Sequence, residues 1–167
     1  MTLLEVCVVY LLRDHEDGTT EVLMGEKRLG LGAGKVVAPG GKLEPGETPR
    51  QAATREVAEE VGLSVEEADL QIIGELTYHF PFRPAWSQRS WAFVATGDWG
   101  EPVPSDELRA MWIPLHAVPL HRMGDDAKYW LPGALGGRRV KATFEFGVDL
   151  STVSASDHPR FASPDGG

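Results

Sequence analysis

The sequence predicts a single α+β domain, and three observations carry that prediction. Strand-like segments rich in β-branched and aromatic residues lie on both sides of one strong helix, without the regular alternation that builds a parallel α/β sheet. Clusters of Gly, Pro, Asp and Ser separate these segments at short intervals. The 167 residues are 42% apolar and 25% charged, enough for one packed core of ordinary domain size.

The first strand is expected at Leu3 to Leu12, a continuous apolar run that fits a strand buried on both faces. Asp14 to Gly18 supplies a turn, and Glu21 to Glu26 a returning strand, so the two form a hairpin. Gly30 to Gly34 is a loop; no crossover unit surrounds it, so it is weak as a dinucleotide signature. Val36 to Leu43 carries a short strand signal broken by Pro39, Gly40 and Gly41. The helix follows, from Pro49 to Val61. Thr48 caps it, Gln51 completes a capping box, Pro49 suits the first turn and Gly62 ends it. Further strands are expected at Leu70 to Phe80, Ser90 to Thr96, Leu108 to Ile113 and Val140 to Val148. A second helix is expected over Asp125 to Leu135. The domain is therefore placed at 1–150. The stretch 151–167, rich in Ser, Asp, Pro and Gly, is expected to be a disordered tail.

Net charge is −9, which argues against a nucleic-acid partner. It leaves room for a small phosphate-bearing ligand, provided that a divalent cation reverses the local field. No apolar run approaches membrane-spanning length, so no membrane partner is expected. The N-terminus lacks the basic flank and cleavage site of a signal peptide. The single cysteine, Cys7, lies inside a strand and is expected to be a buried structural thiol, which favours a cytoplasmic location.

Glu56, Glu59 and Glu60 share one arc of the helix, because residues three and four apart face the same way. Three such carboxylates repel one another unless a cation sits among them, and an all-oxygen donor set favours Mg²⁺ or Mn²⁺. A solvated acidic face has the same appearance. Two neighbours favour the metal: Gly40-Gly41 permits close backbone approach, and Arg55 can hold a carboxylate by a bidentate pair.

These residues carry a resemblance. Gly41, five residues, Glu47, seven residues, Arg55-Glu56-Val57, one residue, Glu59-Glu60, one residue and Gly62-Leu63 fill every position of G-x5-E-x7-R-E-U-x-E-E-x-G-U, with U a bulky aliphatic. The chain thereby resembles the Nudix hydrolases. The resemblance implies an α/β/α sandwich around a mixed β-sheet, and hydrolysis of a nucleoside diphosphate linked to another group. It implies that Glu56, Glu59, Glu60 and the Gly40 carbonyl bind metal, that Glu47 supports the site, and that Arg55 positions the glutamates.

Further segments, MGEKRLGLGAGKVVAPGGK, SDELRAMWIPL, GDDAKYWLP and VKATFEFG, resemble in order the MutT-homologue purine nucleoside triphosphatases. That similarity implies a nucleotide substrate such as 8-oxo-dGTP, cleaved to the monophosphate and pyrophosphate. Nucleotide sugars, dinucleoside polyphosphates and a non-catalytic nucleotide-binding role are the alternatives. By the same resemblance Asp125 and Asp126 read the purine base, one protonated and one ionised, although the pair also stands where a helix cap would. Glu107 corresponds to a loop glutamate near the metals, a ligand or general base, and Lys27 to a lysine beside the nucleotide. Two positions depart from the pattern: a base-contacting asparagine falls at Val37 and a base-stacking tryptophan at Met123. Phe80, Phe82, Trp86 and Trp91 can supply another stacking surface or serve as core.

Overall fold

The structure, a computed structural model, describes residues 3–30 and 32–161. Its strands are β1 (Leu4–Asp14), β2 (Thr20–Lys27), β3 (Val36–Val37), β4 (Gly40–Lys42), β5 (Gln71–His79), β6 (Gln88–Thr96), β7 (Leu108–Pro114), β8 (Val140–Phe146) and β9 (Val153–Ser156). The helices are α1 (Pro49–Val61) and α2 (Ala127–Leu135). The strands form one mixed sheet in the order β3-β2-β1-β6-β5-β8-β9, with β4 on β1 and β7 on β2. β1 runs parallel to β6, and β5 to β8; the other pairs are antiparallel.

β1 is apolar from Val6 to Leu12 because each face there has its own helix. Cys7, Val9 and Leu11 join Ala52, Ala53, Val57 and Val61 of α1 in one core. Tyr10 and Leu12, one residue out of phase, join Ala127, Trp130 and Leu131 of α2 in the other. Two helices flanking a mixed sheet make the expected sandwich. Among the described residues no helix is long and apolar enough to cross a membrane.

α1 has the bounds that its caps predict. The Thr48 hydroxyl accepts from Gln51 N, the Gln51 side chain accepts from Thr48 N, and Gly62 closes the helix at φ 68°. The pair Gly40-Gly41 is not a loop but strand β4, pressed against β1.

The largest departure is at the C-terminal end. The stretch from Ser151, expected to be disordered, contains β9, which pairs with β8. Val153 is buried, Asp157 Oδ1 accepts from Thr143 N at 2.8 Å, and Phe161 meets the Tyr129 ring edge-on. The polar composition misleads because the strand is an edge: only Val153 needs an apolar side chain. Residues 162–167 of the expected tail lie outside the described residues.

Candidate active site

Glu56 and Glu60 stand one turn apart on α1, on the stripe that faces β4. Glu60 Oε1 accepts from Gly40 N at 2.9 Å. The Glu56 carboxylate lies where a side chain on residue 41 would be: a Cβ there would stand 2.7 Å from it. Gly41 is therefore required by close approach.

Arg55 ties the surroundings together. Nε and Nη2 donate to the two oxygens of Glu47 at 2.7 and 2.9 Å, the bidentate pair that its neighbourhood suggests. Nη2 also donates to Lys42 O at 3.0 Å, and Nη1 to Glu56 at 2.8 Å and Glu59 at 3.1 Å. The loop before α1, strand β4 and the helix are thus clamped by one guanidinium. Its hydrogen bonds hold the Glu47 carboxyl down at about 2 and push the Arg55 pKa up.

Glu107 arrives from a distant part of the chain. The β2–β7 ladder ends at Lys27 opposite Leu108, and Arg28 N donates to Glu107 O at 2.9 Å. That register brings Glu107 to the helix glutamates. Glu56, Glu60 and Glu107 each offer an oxygen within 4.8 Å of the others. Glu59 is outside this group: its side chain is 59% exposed and rests on Arg55. Residues 56 and 60 differ by only about 40° around the helix, whereas Glu59 is turned a further 60° towards solvent. Of the four glutamates that the sequence sets near the metal, Glu56, Glu60 and Glu107 converge, while Glu59 rests on Arg55.

Burial pushes the Glu60 pKa up to about 8, against the lowering hydrogen bond from Gly40, and the Glu56 and Glu107 charges add to the rise. Burial also raises Glu56, despite Arg55. A carboxylate cluster built only from oxygen donors, two of them held in a partly desolvated place that disfavours their charge, fits a hard divalent cation. Glu56, Glu60 and Glu107 lie close enough together to hold one; of Gly40, expected as a carbonyl ligand, the N–H is engaged by Glu60.

The carboxylates open into a cleft of about 850 Å³. Val6, Val8, Val37 and Ala38 give it an apolar lining, Trp86, Gln88 and Ser90 stand in its wall, and Lys27 is its cation on β2. The NUDIX domain model matches residues 1–133. This chain belongs to the NUDIX family. It is similar to an oxidized purine nucleoside triphosphate hydrolase of Danio rerio, 38% identical over 125 residues, 75% of this chain and 78% of the relative. A relative of the same description from Mus musculus is 35% identical over 132 residues, 79% of this chain and 82% of the relative. Among solved structures, a MutT protein of Bacillus halodurans superposes with a TM-score of 0.75 at 25% identity, covering 92% of this chain and 96% of that one.

Nudix hydrolases generally use divalent metal ions, which accords with the carboxylate group. Outside the Nudix box the expected base-reading residues are placed differently. Asp126 is 8% exposed, and its Oδ2 accepts from Tyr78 Oη and Trp130 Nε1, both at 2.8 Å. Burial raises its pKa. Asp125 accepts from Val153 N at 2.9 Å and pairs with Lys128 at 2.9 Å; these contacts outweigh burial and lower its pKa. The two carboxyls are thus engaged by different partners, and neither lines the cleft. Neither caps α2 through its side chain. Met123 packs against the α2-side core instead of the cleft.

Of the aromatics, Phe80 stacks on Phe146 at 4.6 Å in the core, Phe82 is exposed, and Trp91 packs against the α1-side core. Trp86 alone of these lines the cleft. Gln88 and Ser90 escaped the sequence reading. Their one signal is the polar run Gln88 to Ser90 that opens β6, which reads equally as a solvated strand end.

Proposed function

We propose that this Nudix chain is a Mg²⁺-dependent pyrophosphohydrolase. It converts oxidised purine nucleoside triphosphates, 8-oxo-dGTP foremost, to the monophosphate and pyrophosphate, and so cleans the nucleotide pool. The observation that carries the chemistry is the convergence of Glu56, Glu60 and Glu107 on a nucleotide-sized cleft. The substrate class rests on the two animal relatives, whose length the chain largely covers. Mn²⁺ suits the same oxygen donors. A cytoplasmic site of action suits the free, buried Cys7.

A divalent cation held by Glu56, Glu60 and Glu107 would neutralise charge at the phosphate oxygens and acidify the attacking water. The chain's own groups do the rest. Glu60 is oriented by Gly40 N–H, and Glu56 by Arg55. Glu47 acts at a distance, by fixing Arg55. Glu107, on a loop, is the exposed member of the group, and we assign it the proton of the water. Glu59 contributes from the solvent side. Lys27 neutralises phosphate at the rim of the cleft.

Purified protein with Mg²⁺ is expected to hydrolyse 8-oxo-dGTP faster than dGTP, releasing pyrophosphate. Glu60→Gln is expected to lower kcat by at least about a hundredfold, the scale of removing one electrostatic contact at the reacting centre. Equal rates on the two nucleotides would remove the sanitising role. Nucleotide binding without turnover would make the chain a binding module.

A further inference from the structure

The wall of the cleft across β1 from the carboxylates carries groups that the hydrolysis does not use. We infer that Trp86, together with Gln88 and Ser90, forms the platform that holds and reads the nucleobase. This rests on the cleft being a nucleotide site.

Position is the first support. Val6 pairs with Lys42 of β4 on one side and with Ser90 of β6 on the other. The carboxylates contact β4, so β1 stands between them and Gln88 and Ser90, and both sets line the one cleft.

Trp86 is the second. Among the described residues it is the one aromatic side chain lining the cleft. The Arg83 guanidinium covers one ring face at 4.3 Å, and Phe80 meets the ring edge-to-face at 5.7 Å. The turn is also tied in advance. Trp86 N donates to Arg83 O at 2.9 Å, Phe80 N to Ser87 Oγ at 3.0 Å, and Gln88 Nε2 to Trp86 O at 3.2 Å. Little conformational freedom remains to be lost on binding.

Hydrogen-bonding capacity is the third. Gln88 and Ser90 are two apart on β6 and share a face. Ser90 is 5% exposed and lines the cleft, where its hydroxyl can donate or accept. Gln88 Nε2 is engaged by Trp86 O, and the amide's other end is an acceptor. An 8-oxopurine offers an N7–H donor beside an O8 acceptor, where an ordinary purine offers only an N7 acceptor. The Gln88 oxygen and the Ser90 hydroxyl match the former edge.

The test is calorimetric titration of 8-oxo-dGMP and dGMP into wild type, Trp86→Ala, Trp86→Phe and Ser90→Ala. Trp86→Ala is expected to weaken both nucleotides at least about tenfold, the usual range for one base–aromatic stack. Trp86→Phe, which keeps a ring if the alanine variant does not fold, is expected to bind within about threefold of wild type. Ser90→Ala is expected to narrow the preference for 8-oxo-dGMP. Wild-type affinity in Trp86→Ala, or affinity lost equally in Trp86→Phe, overturns the platform. So does a preference kept in Ser90→Ala but abolished in Asp126→Asn. Because the ligands are products, binding without any turnover of 8-oxo-dGTP sinks the hydrolase reading and leaves the platform standing.

Discussion

Glu60 shows how one buried carboxyl couples fold and chemistry. Its folded pKa of about 8 stands above the ordinary value of 4.5, so folding favours the protonated form. The stability this contributes is complete below about pH 4.5 and is lost as pH rises through about 8. A cation needs the ionised form, so its binding reverses the loss. In EDTA, Glu60→Gln is expected to melt above wild type at pH 8 and to converge with it near pH 4.5. With Mg²⁺, wild type is expected to gain melting temperature increasingly as pH rises across that window, and Glu60→Gln to gain little. Thermal melts over pH with and without Mg²⁺ check both parts. A wild-type gain independent of pH would remove Glu60 from the cation site.

At the scale of elements, β4 and α1 meet through two glycines with different duties. A Cβ on Gly40 would stand 2.1 Å from the Cys7 carbonyl, which is backbone and cannot yield. A Cβ on Gly41 meets the movable end of the Glu56 side chain. Gly40→Ala is therefore expected to damage the fold, whereas Gly41→Ala should fold but lose Mg²⁺ affinity by about tenfold or more, as misoriented ligands do. Circular dichroism melts and Mg²⁺ titration separate the two. α1 itself was legible to the residue, because a capping box and a C-terminal glycine act within a few positions of chain. The aspartates before α2 were not. Their partners, Tyr78, Trp130 and Val153, come from another strand, the helix interior and the last strand.

For the whole molecule, the sheet extends past the boundary that composition suggested. β9 buries Val153 and supplies the backbone N–H that engages Asp125. Ending the chain at residue 150 is expected to cost at least about 2 kcal/mol, the sum of one buried valine and a few edge hydrogen bonds. Urea unfolding of the two lengths measures it, and equal midpoints would return 151–161 to the status of a dispensable tail.

By itself the sequence determined the α1 helix, the strand-rich sandwich around it and the carboxylate chemistry that the Nudix box encodes. Those are local: caps, periodicity and residues at fixed spacing on one helix need no distant partner. The tertiary structure decided which carboxylates meet, since Glu107 reaches Glu56 and Glu60 only through the β2–β7 register. It also decided that Asp126 turns inward while Trp86, Gln88 and Ser90 line the cleft. Strand register and the competition for buried hydrogen-bond partners are set between segments far apart in the chain, and spacing along one segment cannot express them.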